Sequence, residues 1–263
     1  MPPNKEVIEK QKQERLGEIG YNKNNTLMKI IKYNRSNDII VEFQDEYKAK
    51  IHTEYRNFQK GNVRNPYDKT ACGIGYLGEG KYKGKKNGKD TKEYICWRHM
   101  IERCYDPYEI NKRPTYADVF VCEEWHNFQN FAKWYNENYY EVKNEQMCID
   151  KDILVKGNKI YSPENCIFVP NRINVLFIKR QRDRGNCLIG VRWHKRDKMF
   201  DVSCCDKNCR QQYLGRFKNE YEGFLVYKQF KEKVIKQVAD EYKDLIPQKL
   251  YNALYRYEVE IND

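Results

Sequence analysis

Residues 147–174 read MCIDKDILVKGNKIYSPENCIFVPNRIN. An apolar run ends on Asp150, a polar loop holding Lys156, Gly157 and Asn158 follows, a second apolar run covers Cys166 to Val169, and Pro-Asn-Arg-Ile-Asn opens a helix. Strand, loop, strand and helix therefore fit into one short segment. A carboxylate and a carboxamide oxygen brought together on such a unit suit a hard cation such as Mg²⁺ or Mn²⁺, with positions left open for phosphate oxygens. The segment contains no histidine.

The bulk properties around this segment favour a polyanionic partner. The 263 residues carry 49 Lys+Arg against 38 Asp+Glu, a formal net charge of +11, and 33% of the chain is charged. That composition points to two or three small modules rather than one large core. Excess base favours nucleic acid and also serves solubility. The 22 tyrosines and 4 tryptophans can stack on bases between cations, while their plainer use is to fill small cores. No window approaches the roughly 20 apolar residues of a membrane span. The opening MPPNKEVIEKQKQERLGEIG lacks the apolar core of a signal peptide. An intracellular protein with no membrane partner is expected, and its ten cysteines are then expected as thiols. The clusters Cys96, His99, Cys104 and Cys204, Cys205, Cys209 lack the paired C-x-x-C knuckles of structural zinc.

Punctuation and periodicity give an α+β organisation. Residues 1–16 read as a charged helix or arm. Residues 17–70 read as a small antiparallel, β-barrel-like module with strands at Leu27–Tyr33, Ile39–Phe43 and Tyr47–Ile51. The glycine- and lysine-rich run at 81–89 reads as a connection. Residues 71–180 form a central module. Its helical stripes are Ile95, Trp97, Met100, Ile101, Cys104 and then Trp125, Phe128, Phe131, Trp134, with His99 and His126 beside them as structural histidines. A basic, polar tail places a boundary near 180–187. Residues 187–263 read as three short strands followed by an amphipathic helix with apolar Phe224, Val226, Tyr227, Phe230, Val234, Ile235 and Val238.

The central residues resemble the HNH endonucleases of the ββα-metal fold, especially the homing-type enzymes of bacteriophages. In that branch an Asp-His pair ends the first strand, an Asn follows a turn before the second, and an Ile-Asn lies in the helix. This chain has Asp150 with Lys151, then Asn165 in SPENCIFV, then Ile173 with Asn174. The resemblance covers about 95–178. It implies metal-dependent hydrolysis of duplex DNA, in the cytoplasm of a bacterial host, with Asp150 and Asn174 as ligands of Mg²⁺ or Mn²⁺ and Asn165 as a loop clamp. The departure is Lys151, which stands where the water-activating His would be. An imidazole titrates near pH 6.5, whereas an unperturbed lysine, with a pKa of about 10.4, is already protonated. Lys151 then acts as a base only if its surroundings depress its pKa; otherwise it orients water or holds a phosphate. The alternative is a non-catalytic DNA-binding regulator, or a phage-encoded inhibitor with a host protein partner, on a degenerate HNH scaffold. An RNA-binding accessory factor is compatible with the charge but has no motif behind it.

Further along, GVRWHKRDKMFDVSC, QQYLGRF and the helix from Tyr221 resemble the ethylene-response-factor type of DNA-binding domain, a three-stranded antiparallel sheet packed on one helix. The helix lacks that family's alanine-rich run. Such a ribbon fits the major groove. Strand alternation puts Arg192, His194 and Arg196 on one face and Val191, Trp193 and Lys195 on the other, up to a turn near Asp197. The expected DNA contacts are Arg192, Lys195, Arg196, Lys198, Arg210 and Arg216.

Overall fold

The computed structural model describes residues 5–179 and 185–263; the boundary expected near 180–187 falls partly outside them. The fold is mixed α+β, built on several small sheets. The chain divides into two compact units, Met1–Glu137 and Asn138–Asp263. No helix among the described residues is long and apolar enough to cross a membrane.

The first unit opens with α1 (Lys5–Arg15), followed by a sheet of β1 (Ile19–Tyr21), β2 (Leu27–Arg35), β3 (Asp38–Phe43) and β4 (Lys50–Thr53), paired in that order. The sheet is open, with β1 and β4 as its edges, and does not close into a barrel. Its buried face switches phase along β2. Met28 and Ile30 point inward against Phe43 and Val41, the register then shifts between Ile30 and Lys32, and Tyr33 points inward against Ile39. One extra residue in a bulge does this. Of the expected strand at Tyr47–Ile51 only Lys50 and Ile51 are extended, as the start of β4, while Tyr47 and Lys48 lie in the turn before it. Asp45 Oδ1 accepts from the amides of Tyr47 (3.1 Å) and Lys48 (3.0 Å), and Lys48 has φ 49°. The aromatic, β-prone composition there is outweighed by this side-chain cap. α1 is tied to the sheet by Arg15, whose guanidinium donates to Tyr33 Oη (2.6 Å) and lies 3.9 Å from the centroid of the Tyr55 ring.

After the short helix α2 (Tyr55–Gln59), a two-stranded hairpin, β5 (Lys85–Lys86) and β6 (Lys89–Asp90), leads into α3 (Lys92–Tyr105) and α4 (Pro107–Lys112). Thr91 caps α3. Asp106 caps α4 by accepting from the amides of Tyr108 and Glu109, and Pro107 supplies the fixed φ of a first helical residue. Strand β7 (Phe120–Val121) precedes α5 (Phe128–Asn138). The aromatic stripes are core: Trp97, Trp125, Phe128 and Phe131 are buried, and the Trp97 indole donates to the Trp125 carbonyl at 2.7 Å. Ile95 is the exception, exposed at the edge of its stripe. His126 is bonded to the Val121 carbonyl (3.1 Å), and burial holds its pKa below the usual imidazole value. His99 is exposed and lines a surface cleft with Glu102, Arg103, Glu109 and Arg113.

The second unit contains β8 (Met147–Asp150), β9 (Ile160–Tyr161), β10 (Ile167–Pro170), α6 (Asn171–Asn174), β11 (Val191–His194), β12 (Met199–Cys205), β13 (Gln211–Phe217), α7 (Glu220–Glu241) and α8 (Gln248–Arg256). β8 and β10 pair antiparallel, with Asp150 opposite Ile167, and α6 packs on both, giving the expected ββα order. β11, β12 and β13 form an antiparallel sheet carried by α7. The 22-residue α7 is the spine of the unit. Its first half, through Phe224 and Tyr227, packs with Val191, Val202 and Cys204 of the sheet. Its second half, through Val234, Ile235, Val238 and Ala239, shares one core with Ile153, Ile167, Val169 and Ile173 and with Leu250 and Leu254 of α8. The ββα element and the sheet therefore depend on one helix. Truncating Val238 to alanine is expected to cost about 2–3 kcal/mol. Hydrogen exchange should then show β8, β10 and the sheet losing protection together, and loss confined to β8 and β10 would contradict the shared spine.

Candidate functional site

Two regions of the second unit hold the residues singled out above. The first is the outward face of the three-stranded sheet. Val191, Phe200, Val202 and Cys204 lie on the helix side, so their strand neighbours Arg192, Asp201 and Ser203 face away from it. Pairing places Arg192 and Arg216 on either side of Asp201, and Ser203 opposite Tyr213, which is 66% exposed. Arg216 is committed within the protein. Its Nε and Nη2 donate to the two carboxylate oxygens of Asp201 at 2.6 and 3.1 Å, and Nη1 donates to Asp197. The guanidinium holds Asp201 below the usual carboxylate range. Arg216 is therefore a strut across the sheet, whereas Arg192 is exposed and forms no ion pair among the described residues.

The hairpin turns carry the other cations. Strand β11 ends at His194, so Lys195 and Arg196 lie on the turn rather than on alternating faces. Lys198 follows with φ 52°, and the Arg196 guanidinium, 92% exposed, lies 3.9 Å from Asp197. The second turn is fixed by Asp206 Oδ1, which accepts from the amides of Asn208 and Arg210, both at 2.9 Å, and leaves Arg210 exposed. These turns sit at opposite ends of β12. Six residue steps at about 3.4 Å separate its ends by roughly 20 Å, more than the roughly 12 Å width of a B-DNA major groove. Cations at the ends can meet phosphates on both sides while Arg192 and Tyr213 face the space between. Tyr213 was not among the residues singled out from sequence; the signal available was its alternation with Leu214 in QQYLGRF, which a bulge at Val202/Ser203 obscures.

The second region is the strand end at Asp150. Asp150 Oδ1 accepts from the amides of Asp152 (2.9 Å) and Ile153 (2.7 Å), so the carboxylate closes the turn that leaves β8. Burial, followed by the neighbouring charge of Asp152, pushes its pKa up to about 6, against the pull of the two amides. The Lys151 side chain is only 11% exposed, and its ammonium lies 3.2 Å from Asp152 Oδ2. The loop is held chiefly by Asn158: its Nδ2 donates to the carbonyls of Lys151 and Ile160, both at 2.7 Å, and Asn165 Nδ2 donates to Asn158 Oδ1 at 3.3 Å. Asn158 is the residue that sequence reasoning missed here. Its side chain lies seven residues from Lys151 and from Asn165 and two from Ile160, and only the folded loop joins the outer pair. Lys156 anchors the same loop to the Glu258 carbonyl (2.8 Å) and Asp263 (2.9 Å). Asn174 is half-buried on α6, beside the fully buried Ile173.

As a cation site, Asp150 and Asn174 offer one carboxylate and one carboxamide, and one oxygen of the carboxylate already serves two amides. A hard divalent ion takes six or more oxygens. Among the described residues no group of three or more His, Cys, Asp or Glu side chains is placed to hold a metal, and no disulfide forms. No family model matches the chain, and no curated protein or solved structure matches it at a significant level.

Proposed function

We propose that this chain is a duplex-DNA-binding protein that addresses DNA with the outer face of the β11–β13 sheet and uses the ββα element as its rigid support. The observation that carries the reading is the arrangement of Arg192, Lys195, Lys198 and Arg210, exposed and in no ion pair among the described residues, around a sheet whose central acid, Asp201, is already neutralised by Arg216. Phosphate contacts from the turns would set the register, and Arg192 and Tyr213 would meet base edges. Log affinity for a duplex is expected to fall linearly with log salt, by about 0.9 per phosphate neutralised. The double variant Lys195→Ala/Arg210→Ala, which removes one cation from each turn, should make that slope shallower by up to about 1.8. An unchanged slope and affinity would remove the sheet from the interface.

A second reading, hydrolysis of the bound DNA, is favoured by one observation: Asp150, at the strand end, is a carboxyl raised to about 6 by its surroundings, and perturbed carboxyls cluster at functional sites. Under it, Asp150 and Asn174 would hold Mg²⁺ or Mn²⁺ together with the phosphate, and the ion would stabilise charge developing on the phosphoryl oxygens. Lys151, paired to Asp152, would orient rather than deprotonate water. Nicking of supercoiled DNA by wild type but not by Asp150→Ala would establish this reading. The binding reading expects no metal-dependent nicking by either, and only a small loss of affinity in Lys151→Ala.

A further inference from the structure

The run at 81–92 contains six lysines and one aspartate, and it is built rather than loose. Strands β5 and β6 pair Lys85 with Asp90 and Lys86 with Lys89. The two turn residues between them, Asn87 (φ 52°) and Gly88 (φ 75°), both adopt the left-handed backbone that an Asn-Gly hairpin turn requires. The base of the hairpin is gripped from α5: Gln129 Oε1 accepts from the Tyr82 amide (3.0 Å), and Gln129 Nε2 donates to the carbonyls of Tyr82 (2.9 Å) and Leu77 (3.1 Å). Thr91, the cap of α3, holds the other side, with its amide on the Gly84 carbonyl (3.0 Å) and its hydroxyl on that of Lys83 (3.1 Å).

From this base Lys81, Lys83, Lys86 and Lys89 extend exposed, Lys81 over the Tyr82 ring, and none forms an ion pair among the described residues. Lys85 is answered by Asp90 at 3.6 Å. Lys86 and Lys89 stand directly opposite on the paired strands, and like charges opposite one another across a strand pair repel in the unbound protein. A polyanion relieves that repulsion, and the ordering cost of presenting the cations has already been met by Gln129 and Thr91. We infer that the β5–β6 hairpin is a second DNA-contacting element, a basic finger that takes the phosphate backbone of duplex DNA without reading its sequence. This rests on the reading of the chain as a duplex-DNA binder and adds a contact from the first unit, which that reading does not use.

The test compares the full chain with Lys81→Gln/Lys83→Gln/Lys86→Gln/Lys89→Gln, using fluorescence anisotropy on one labelled duplex over a range of salt. A control, Lys23→Gln/Lys60→Gln/Lys112→Gln/Lys133→Gln, removes the same charge from exposed positions elsewhere in the first unit. The hairpin variant is expected to have a log-log slope shallower by about 2–4, at about 0.9 per lost phosphate contact, and to bind at least tenfold more weakly at physiological salt. The control should change the slope by less than one contact. Wild-type binding with an unaltered slope in the hairpin variant overturns the finger and leaves the sheet reading standing. Equal effects of both variants also overturn it, since net charge alone would then account for the loss. Absence of binding by the wild type overturns both readings.

Discussion

Gly190→Ala is expected to cost the second unit about 2–5 kcal/mol and to abolish tight duplex binding. Gly190 begins the Gly-Val-Arg stretch at the entrance to β11, with φ at +78°, a conformation that costs a residue with a Cβ about 1–2 kcal/mol. A Cβ built there would stand 2.0 Å from a ring carbon of Tyr227. Tyr227 belongs to the core that joins α7 to the sheet, so the ring cannot swing away without opening that core, and overpacking of this kind costs about 1–3 kcal/mol more. Urea unfolding should show a lower midpoint at constant slope. A variant as stable as wild type would mean that Tyr227 has another place to go and that the glycine is not needed for packing.

Asp150→Asn and Asp150→Ala should flatten the pH dependence of stability alike and differ in its level. Its pKa in the folded chain, about 6, lies above the ordinary 3.8, so the folded state holds the proton more tightly than the unfolded one. The stability tied to that proton is fully present below the ordinary carboxylate range and is lost as pH rises through about 6. Each tenfold change in proton affinity is worth about 1.4 kcal/mol. Asp150→Asn keeps an oxygen for the amides of Asp152 and Ile153 and has no charge to bury. It should therefore be more stable than wild type at pH 8 and close to it at pH 4, with a flatter pH profile. Asp150→Ala leaves both amides without their acceptor and should be destabilised by about 1–3 kcal/mol at pH 4; it shares the flat profile of Asp150→Asn, so its deficit relative to wild type should shrink at pH 8, where wild type carries the buried charge. Thermal melts of the three proteins at the two pH values provide the measurement. Parallel profiles for wild type and Asp150→Asn would mean that the carboxylate is not strained in the fold, and the argument for hydrolysis would lose its one favouring observation.

Local chemistry made much of this protein readable. Helices α3, α5 and α7 follow from apolar residues at three- and four-residue spacing, and the order strand, loop, strand, helix at 147–174 follows from where the apolar runs stop. Turn residues bounded β2 and β3. The aromatic content also read correctly as core at Trp97, Trp125, Phe128 and Phe131, because large side chains on one helical face have nowhere else to go. Readings failed where a side chain close in sequence overrode composition. Asp45 turned an aromatic, β-prone stretch into a loop by bonding two amides. Nothing in the residue types at 47–51 announces that choice.

What only the tertiary structure decided is which groups meet. Asp197 and Asp201 lie 19 and 15 residues from Arg216, and strand register alone brings them to its guanidinium; a one-residue slip would have turned Arg216 toward the helix side of the sheet and put Arg192 beside a different neighbour. Asn158 became the centre of the loop clamp only when Lys151, Ile160 and Asn165 closed around it. The stripe on α7 identified a buried face from sequence, but hydrophobic burial is non-directional. The same Val234, Ile235 and Val238 would satisfy any apolar partner, and it is the fold that gives them the ββα element and α8. Sequence by itself determined the elements and the excess of base. The packing determined that Arg216 braces the sheet, that Arg192 and Arg210 stay exposed, and that the Asn158 amide closes on Lys151, since these depend on contacts between residues that the chain order leaves apart.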